Sequence, residues 1–488
     1  MYVLSNKRNT QFFDLWKLDT ASWQPQLIFQ NDSSFEFSAI SKTERYIALI
    51  KSITTDKNEL YLVDRVANTS KRLSNDNEAS WSGMEFERND SIFYYTTSDD
   101  AEFTYLVKYN INSGEKATIY ETNWDVMWFD LSDNEKYYTI GINEDGKNKV
   151  LVFDHATGKE IDFPEIKNGD IVNVEISDSE TKFLLSVGSS TSPVNLYLYN
   201  LADKQLKQLT STLNKEVDEN DLVNAEVVRF KSFDGKEIPA IYYKPLQASK
   251  NNKAGALVWV HGGPGGQSRA GFSNSIQFLV NKGYAVLAVN NRGSSGYGKT
   301  FYKMDNRDHG NGDLKDCIWG KKWLAERDYI DSNAIGIYGG SYGGNVVLNA
   351  LALYPDEFKA GVNLFGVANW LRTLKSIPPY WASFKKALYD EMGDPETDSV
   401  RLKRISPVFN YEKITKPLLV FQGANDVRVL QIESDEIVEG VKKNNVPVEY
   451  VVYPDEGHGF LKKENMISTD TRTLAFLDKY LKAGISSR

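Results

Sequence analysis

Cysteine is almost absent: the 488-residue chain has one, Cys317, so no disulfide can form within it. That favours a reducing compartment, and the cytoplasm is the expectation, although many exported proteins also lack disulfides. Cys317 falls in Asp313–Tyr329, where Leu314, Ile318 and Leu324 outline one buried helix face, and it reads as a structural thiol. Long apolar runs are also missing. The densest, Ala256–Val260 and Tyr284–Val289, have the length of strands and fall far short of the ~18 residues a membrane helix needs. The opening Met1-Tyr-Val-Leu-Ser-Asn-Lys-Arg8 has no charged start followed by an apolar stretch, so no export signal is visible. With a net charge of −9 and a pI near 5.3 there is no basic footprint for nucleic acid. No metal-ligand spacing and no phosphate loop stands out, so neither metal nor cofactor is expected. What remains, 41% apolar and 25% charged residues, is the composition of a folded protein in water, with no nucleic acid and no membrane as partner.

What is present divides into two halves. Residues 1–215 read as short strands rich in Tyr, Phe, Val and Ile, broken by Asn, Asp, Gly and Ser. Asp14-Leu-Trp-Lys-Leu-Asp19, Glu59-Leu-Tyr-Leu-Val-Asp64, Tyr105-Leu-Val-Lys-Tyr-Asn110, Lys149-Val-Leu-Val-Phe-Asp154 and Asn195-Leu-Tyr-Leu-Tyr-Asn200 superimpose, their centres at 16, 61, 107, 151 and 197 recurring every 44–46 residues. A four-stranded unit of that period is a propeller blade, so about five repeats of a β-propeller are expected. The first unit starts at Tyr2 with room only for its last strands, so the ring is incomplete or the sequence begins inside a unit. Around Asn214–Leu222 the chain turns acidic and apolar content falls, which places a boundary before a second domain at 222–488. There, strands at 237–244, 256–260, 285–289, 335–339, 360–365, 417–422 and 448–453 alternate with helices at 313–327, 344–354, 431–444 and 469–483. That alternation predicts a doubly wound, mostly parallel α/β sheet.

Gly339-Gly-Ser341-Tyr-Gly343 fits the G-x-S-x-G nucleophile elbow. The pattern is weak alone. Its setting strengthens it, because a strand at Ile335-Gly-Ile-Tyr338 precedes it and an apolar helix follows, and this turn lifts the hydroxyl clear of the sheet. The fold class expected is therefore an α/β-hydrolase with Ser341 as nucleophile. In that fold the triad runs Ser, acid, His along the chain. Of the four histidines, at 155, 261, 309 and 458, only His458 lies beyond Ser341, in a loop after the strand Val448–Tyr453. Asp426, on the loop after Pro417–Gln422, fills the acid's place; Asp455 and Glu456 compete on proximity but would have to fold back on His458. An oxyanion hole calls for the N–H of Tyr342 and a second donor. The glycine-rich His261-Gly-Gly-Pro-Gly-Gly266 allows close backbone approach, and Gly263 is the candidate.

His261-Gly-Gly-Pro264, Asn291-Arg-Gly-Ser-Ser-Gly-Tyr-Gly298, Gly339-Gly-Ser-Tyr-Gly-Gly344, Gly423-Ala-Asn-Asp-Val-Arg-Val429 and Asp455-Glu-Gly-His-Gly-Phe460 occur in that order. Together they resemble the prolyl oligopeptidase family of serine peptidases, and within it the acylaminoacyl-peptidase-like branch, from about Val227 onward. The resemblance implies that Arg428 binds a substrate carbonyl, with a surface ion pair as the plainer reading, and that Trp370 and Val367 line the pocket for the side chain before the cut, unless they are simply core. Two departures stand out. The family usually has seven or so blades, and its dipeptidyl-peptidase branch carries adjacent glutamates that hold a free amino terminus. No Glu-Glu pair occurs here; Glu85 and Glu87 could share a strand face, but read as a solvated one.

The resulting expectation is a peptidase acting on short oligopeptides or blocked amino termini. A carboxylesterase with the same triad is the nearest alternative; a dipeptidyl peptidase and a propeller binding protein with a silent hydrolase domain are further ones. Homo-oligomer formation stays open.

Overall fold

The computed structural model describes residues 1–482 apart from 163, 165, 167 and 168. Five antiparallel sheets follow one another through the first half. Blade 1 has three strands (Tyr2–Ser5, Asp14–Leu18, Pro25–Phe29). Blade 2 spans Glu36 to Arg72, blade 3 Trp81 to Tyr120 and blade 5 Asp170 to Gln208, each with four strands. Among the described residues blade 4 has three (Asp125–Leu131, Tyr137–Glu144, Lys147–Asp154), with an isolated bridge from Phe153 to Glu160. The repeated segments form the third strand of blades 2 to 5. In blade 1 the matching strand is the second, so that unit holds the last three strands of a blade. Alternating side chains of each blade bury against the next. Leu60, Leu62, Phe93 and Tyr95 fill one wedge, Tyr94, Leu106, Phe129 and Ile140 the following one, and Val152, Phe183 and Leu185 the one after. Because a blade buries its faces only on its neighbours, the stacking holds the first half together.

Glu85 and Glu87 do not form the solvated face expected of them. Glu87 is buried, taking bonds from Tyr94 O–H (3.0 Å) and lying 3.4 Å from His155 and Lys108, while Glu85 accepts the Leu131 N–H (3.0 Å). The neighbouring blade covers the surface that strand alternation alone assigns to water.

The second half is one eight-stranded sheet. Its strands are β1 (Glu226–Lys231), β2 (Glu237–Tyr243), β3 (Ala254–Val260), β4 (Tyr284–Val289), β5 (Ile330–Gly340), β6 (Gly361–Leu364), β7 (Leu418–Gly423) and β8 (Val448–Tyr453). The spatial order is 1-2-4-3-5-6-7-8; β2 pairs antiparallel with both β1 and β4, and all the other pairings are parallel. Central strands buried on both faces read as continuous apolar runs, as β3 and β4 do. Helices α1 (Asn274–Asn281), α2 (Gly312–Ala325), α3 (Tyr342–Leu353), α4 (Ala382–Met392), α5 (Gln431–Lys442) and α6 (Lys463–Leu481) cover the sheet and its carboxyl edge. Two apolar clusters, one per face, form the core, and Cys317 is buried in one of them. Burial pushes its thiol well above the ordinary value, which leaves it an inert packing group. Among the described residues no helix is long and apolar enough to cross a membrane.

Polar contacts join the halves. Glu102 accepts from Thr300 N (2.7 Å) and Oγ1 (2.8 Å), Lys303 pairs with Asp56 (2.9 Å) and Glu78 (2.6 Å), and Gln277 Nε2 donates to Ser190 O (2.7 Å).

Candidate active site

Ser341 sits where β5 ends and α3 begins, with φ 56° and ψ −120°, a strained conformation for a residue with a side chain. The turn closes only because its neighbours are small: a Cβ on Gly343 would stand 2.3 Å from the Val260 carbonyl. The strain aims the hydroxyl outward, and His458 Nε2 meets Ser341 Oγ at 3.0 Å. His458 Nδ1 lies 2.7 Å from Asp426 Oδ2, while Asp426 Oδ1 accepts the N–H groups of Arg428 (2.8 Å) and Val429 (2.9 Å). Asp426 is 4% exposed, so its carboxylate is fixed by protein donors and shielded from water. Phe365 packs against the imidazole (4.8 Å between ring centres). The competing acids are engaged elsewhere. Asp455 pairs with Lys462 and Asn465, and Glu456 accepts Leu461 N–H (3.1 Å) and Lys462 N–H (2.9 Å).

Tyr342 opens α3, where the first N–H groups have no intrahelical partner. Its phenol donates to buried Asp313, which anchors the start of the helix. The 261–266 loop runs alongside: a Cβ on Gly262 would lie 3.4 Å from Ser341 Cβ, and Gly263 has φ +130° with no room for a side chain beside Gly265 N and Gly266 N. Desolvation pushes the His261 imidazole below its ordinary pKa.

A cavity of about 350 Å³ opens at Ser341, bordered by Gly263, Tyr342 and His458 and walled by Val367, Trp370, Leu374, Trp381 and Met392. Val367 and Trp370 belong both to this wall and to the core cluster, so the two readings of them coincide. Arg428 borders the cavity with its guanidinium 5.4 Å from the Trp381 ring centre. Sequence reasoning missed Trp381, Leu374, Met392 and Glu433. Glu433, on α5, accepts the N–H groups of Ala368 (3.0 Å) and Asn369 (2.5 Å) and so holds the Val367–Trp370 wall; burial pushes its carboxyl up to about 7. The only visible signal for this region was the aromatic Pro378-Pro-Tyr-Trp381, which reads as a loop.

A second hollow, of about 480 Å³, is lined by Phe12, Phe13, Phe35, Glu36 and Phe37 of blades 1 and 2 and by Trp381. A third, of about 390 Å³, lies between Glu102, Thr104 and Asp125 of the propeller and Gly265, Ser295 and Tyr302. The propeller therefore faces the loop next to Ser341. This arrangement can run acyl transfer: a hydroxyl beside an imidazole, a carboxylate that orients the imidazole, N–H groups for an oxyanion and an apolar slot for a side chain.

The model of the prolyl oligopeptidase family matches residues 270–484, and that of the prolyl oligopeptidase N-terminal beta-propeller domain matches residues 6–212. Dipeptidyl aminopeptidase BIII of Pseudoxanthomonas mexicana is 32% identical over 498 residues, 98% of this chain and 71% of its own length. Dipeptidyl peptidase family member 6 of Caenorhabditis elegans is 28% identical, over 84% of this chain and 59% of its own. The acylamino-acid-releasing enzyme of Arabidopsis thaliana is 29% identical over 50% of this chain and 33% of its own. The chain thus spans well under the full length of these relatives. A puromycin-hydrolyzing peptidase of Mycobacterium tuberculosis shares the fold, with a TM-score of 0.84 at 18% identity over 98% of this chain and 78% of that one.

Proposed function

This chain belongs to the prolyl oligopeptidase family of serine peptidases, and we propose that it cleaves short peptides after an apolar residue through an acyl-enzyme on Ser341. Ser341 Oγ attacks the scissile carbonyl carbon as its proton passes to His458 Nε2. Asp426 holds Nδ1–H and stabilises the imidazolium. The N–H groups of Tyr342 and Gly263 take the negative oxygen. His458 then protonates the leaving amine, and a water molecule, activated by the same imidazole, hydrolyses the ester. The observation that carries this reading is the continuous Asp426–His458–Ser341 contact chain (2.7 and 3.0 Å) at the mouth of the apolar cavity.

Two substrate types compete within it. A blocked amino terminus fits the acylaminoacyl-peptidase-like motifs. Release of dipeptides is favoured by a specific observation: Glu36, whose carboxylate accepts from Ser52 Oγ (3.0 Å), lines the aromatic hollow that shares Trp381 with the apolar cavity, and a carboxylate there suits a substrate's free amino group. The extensive likeness to a dipeptidyl aminopeptidase points the same way. The experiment is a panel of chromogenic peptides, blocked and free-amine, beside simple esters. Dipeptide turnover that depends on Glu36 supports the second type, and turnover of acylated substrates indifferent to Glu36→Gln supports the first. Hydrolysis of esters with no peptide turnover overturns both in favour of a carboxylesterase.

A further inference from the structure

A buried group of acids and one imidazole lies behind the nucleophile, and acyl transfer makes no use of it. His309 and Asp305 are each 1% exposed at the side chain and Glu391 5%. Asp305 and His309 come from the segment leading into α2, and Glu391 from the last turn of α4. His309 Nε2 stands 3.2 Å from Asp305 Oδ2 and 3.4 Å from Glu391 Oε1. Neither contact has hydrogen-bond geometry: Asp305 Oδ2 and both His309 ring nitrogens are buried without a hydrogen-bond partner. A single Nε2–H could reach both oxygens only as a long, bent, shared donor, and a bare ring nitrogen would be repelled by both. Asp313, fully buried next door, accepts from Tyr342 O–H and Asn311 N–H and adds a third carboxylate. Among the described residues no lysine or arginine pairs with Asp305, Asp313 or Glu391, so even a protonated His309 would leave negative charge uncompensated in the interior, at a high desolvation cost.

We propose that Asp305, His309 and Glu391 bind one divalent transition-metal ion, of which zinc is the best chemical match. The three donor atoms lie within 4.8 Å of one another. Tetrahedral bonds of about 2.0–2.2 Å set donors roughly 3.3–3.6 Å apart, close to the two separations observed and longer than a good hydrogen bond. The imidazole argues against calcium and magnesium, which take oxygen donors, and the lack of a thiolate argues against copper(I). The ion is structural in this reading. His309 stacks edge-on against Tyr342 (5.5 Å), and Glu391 precedes Met392 of the cavity wall, so the ion ties that wall to the start of α3. Asp305, His309 and Glu391 are positioning residues. Sequence spacing concealed the site because its donors come from two distant segments.

The test is metal content by mass spectrometry of the full chain, produced in zinc-supplemented medium and dialysed against metal-free buffer. About one zinc per chain is expected in the wild type and a small fraction of that in Asp305→Asn/Glu391→Gln, with a chelator-induced drop in Tm confined to the wild type. Should the double variant not fold, wild type produced with cobalt serves instead, and the visible absorption of a tetrahedral Co²⁺ centre is expected. Wild type with neither zinc nor cobalt at stoichiometric level, or a folded variant that retains as much metal as wild type, overturns the site and leaves a protonated His309 between carboxylates.

Discussion

Asp426 divides its two oxygens between holding the loop and holding His458, and that division makes it separable from its neighbours. Asp426→Asn keeps the shape but presents an amide to Nδ1, which favours the wrong imidazole tautomer, so kcat should fall by on the order of 10⁴. Asp455→Asn should be mild, since that side chain is spent on Lys462 and Asn465. A crippled Asp455→Asn beside a mild Asp426→Asn would show that the acid has been misassigned. Arg428 extends from the same loop, exposed and facing the Trp381 ring at the cavity edge. Arg428→Ala should lower kcat/KM for peptides by about 10- to 150-fold, the worth of roughly 1.5–3 kcal/mol in hydrogen bonds to a charged group. A small p-nitrophenyl ester, with no peptide carbonyl to grip, should lose little; equal losses would make the arginine structural. These residues were legible from order and motif: few histidines, a fixed triad order and a strand before each loop leave little choice. Glu433 was not legible, because a glutamate on a charged amphipathic helix reads as solvated until the Val367–Trp370 loop is laid across it.

At the scale of elements, the wall of the cavity depends on that glutamate. Glu433→Ala would leave the Ala368 and Asn369 N–H groups without an acceptor, at about 1–3 kcal/mol each, and the protein should melt lower; Glu433→Gln keeps an acceptor and should recover most of the loss. Its pH signature has a definite sign. Burial holds the folded carboxyl at about 7 against an ordinary 4.5. Between those values the folded state binds the extra proton, so this group's contribution is present below about 4.5 and is lost as pH rises through 7. Thermal melts across that window should show a fall in wild-type stability that Glu433→Gln flattens; an unchanged slope in the variant would assign it to other groups. Most strands and helices were visible in periodicity, and β8 spans Val448–Tyr453, the strand expected there. Helix α4 escaped because its sequence, Ala382–Met392, is highly charged and follows Pro378-Pro379; Leu388 and Met392 gain their burial from the cavity wall, a tertiary partner that no local pattern announces. Helix α6 begins at Lys463, six residues ahead of 469, where its first buried side chain lies.

For the whole molecule, a propeller facing the 261–266 loop should sort substrates by size and flexibility. A short peptide should be cleaved far faster than the same sequence grafted into a rigid loop of a folded protein, and similar rates for both would remove the propeller from any gating role. The three-stranded first blade bears on this, since its aromatic hollow shares Trp381 with the cavity. All of this stands on Ser341 being the nucleophile. The most direct measurement is intact-protein mass and peptide mapping after reaction with a fluorophosphonate: a single adduct on the peptide that contains Ser341, absent from a folded Ser341→Ala variant that has also lost peptide hydrolysis, is the expected result. An adduct formed at the wild-type rate in Ser341→Ala, or peptide hydrolysis that survives the substitution, would contradict it.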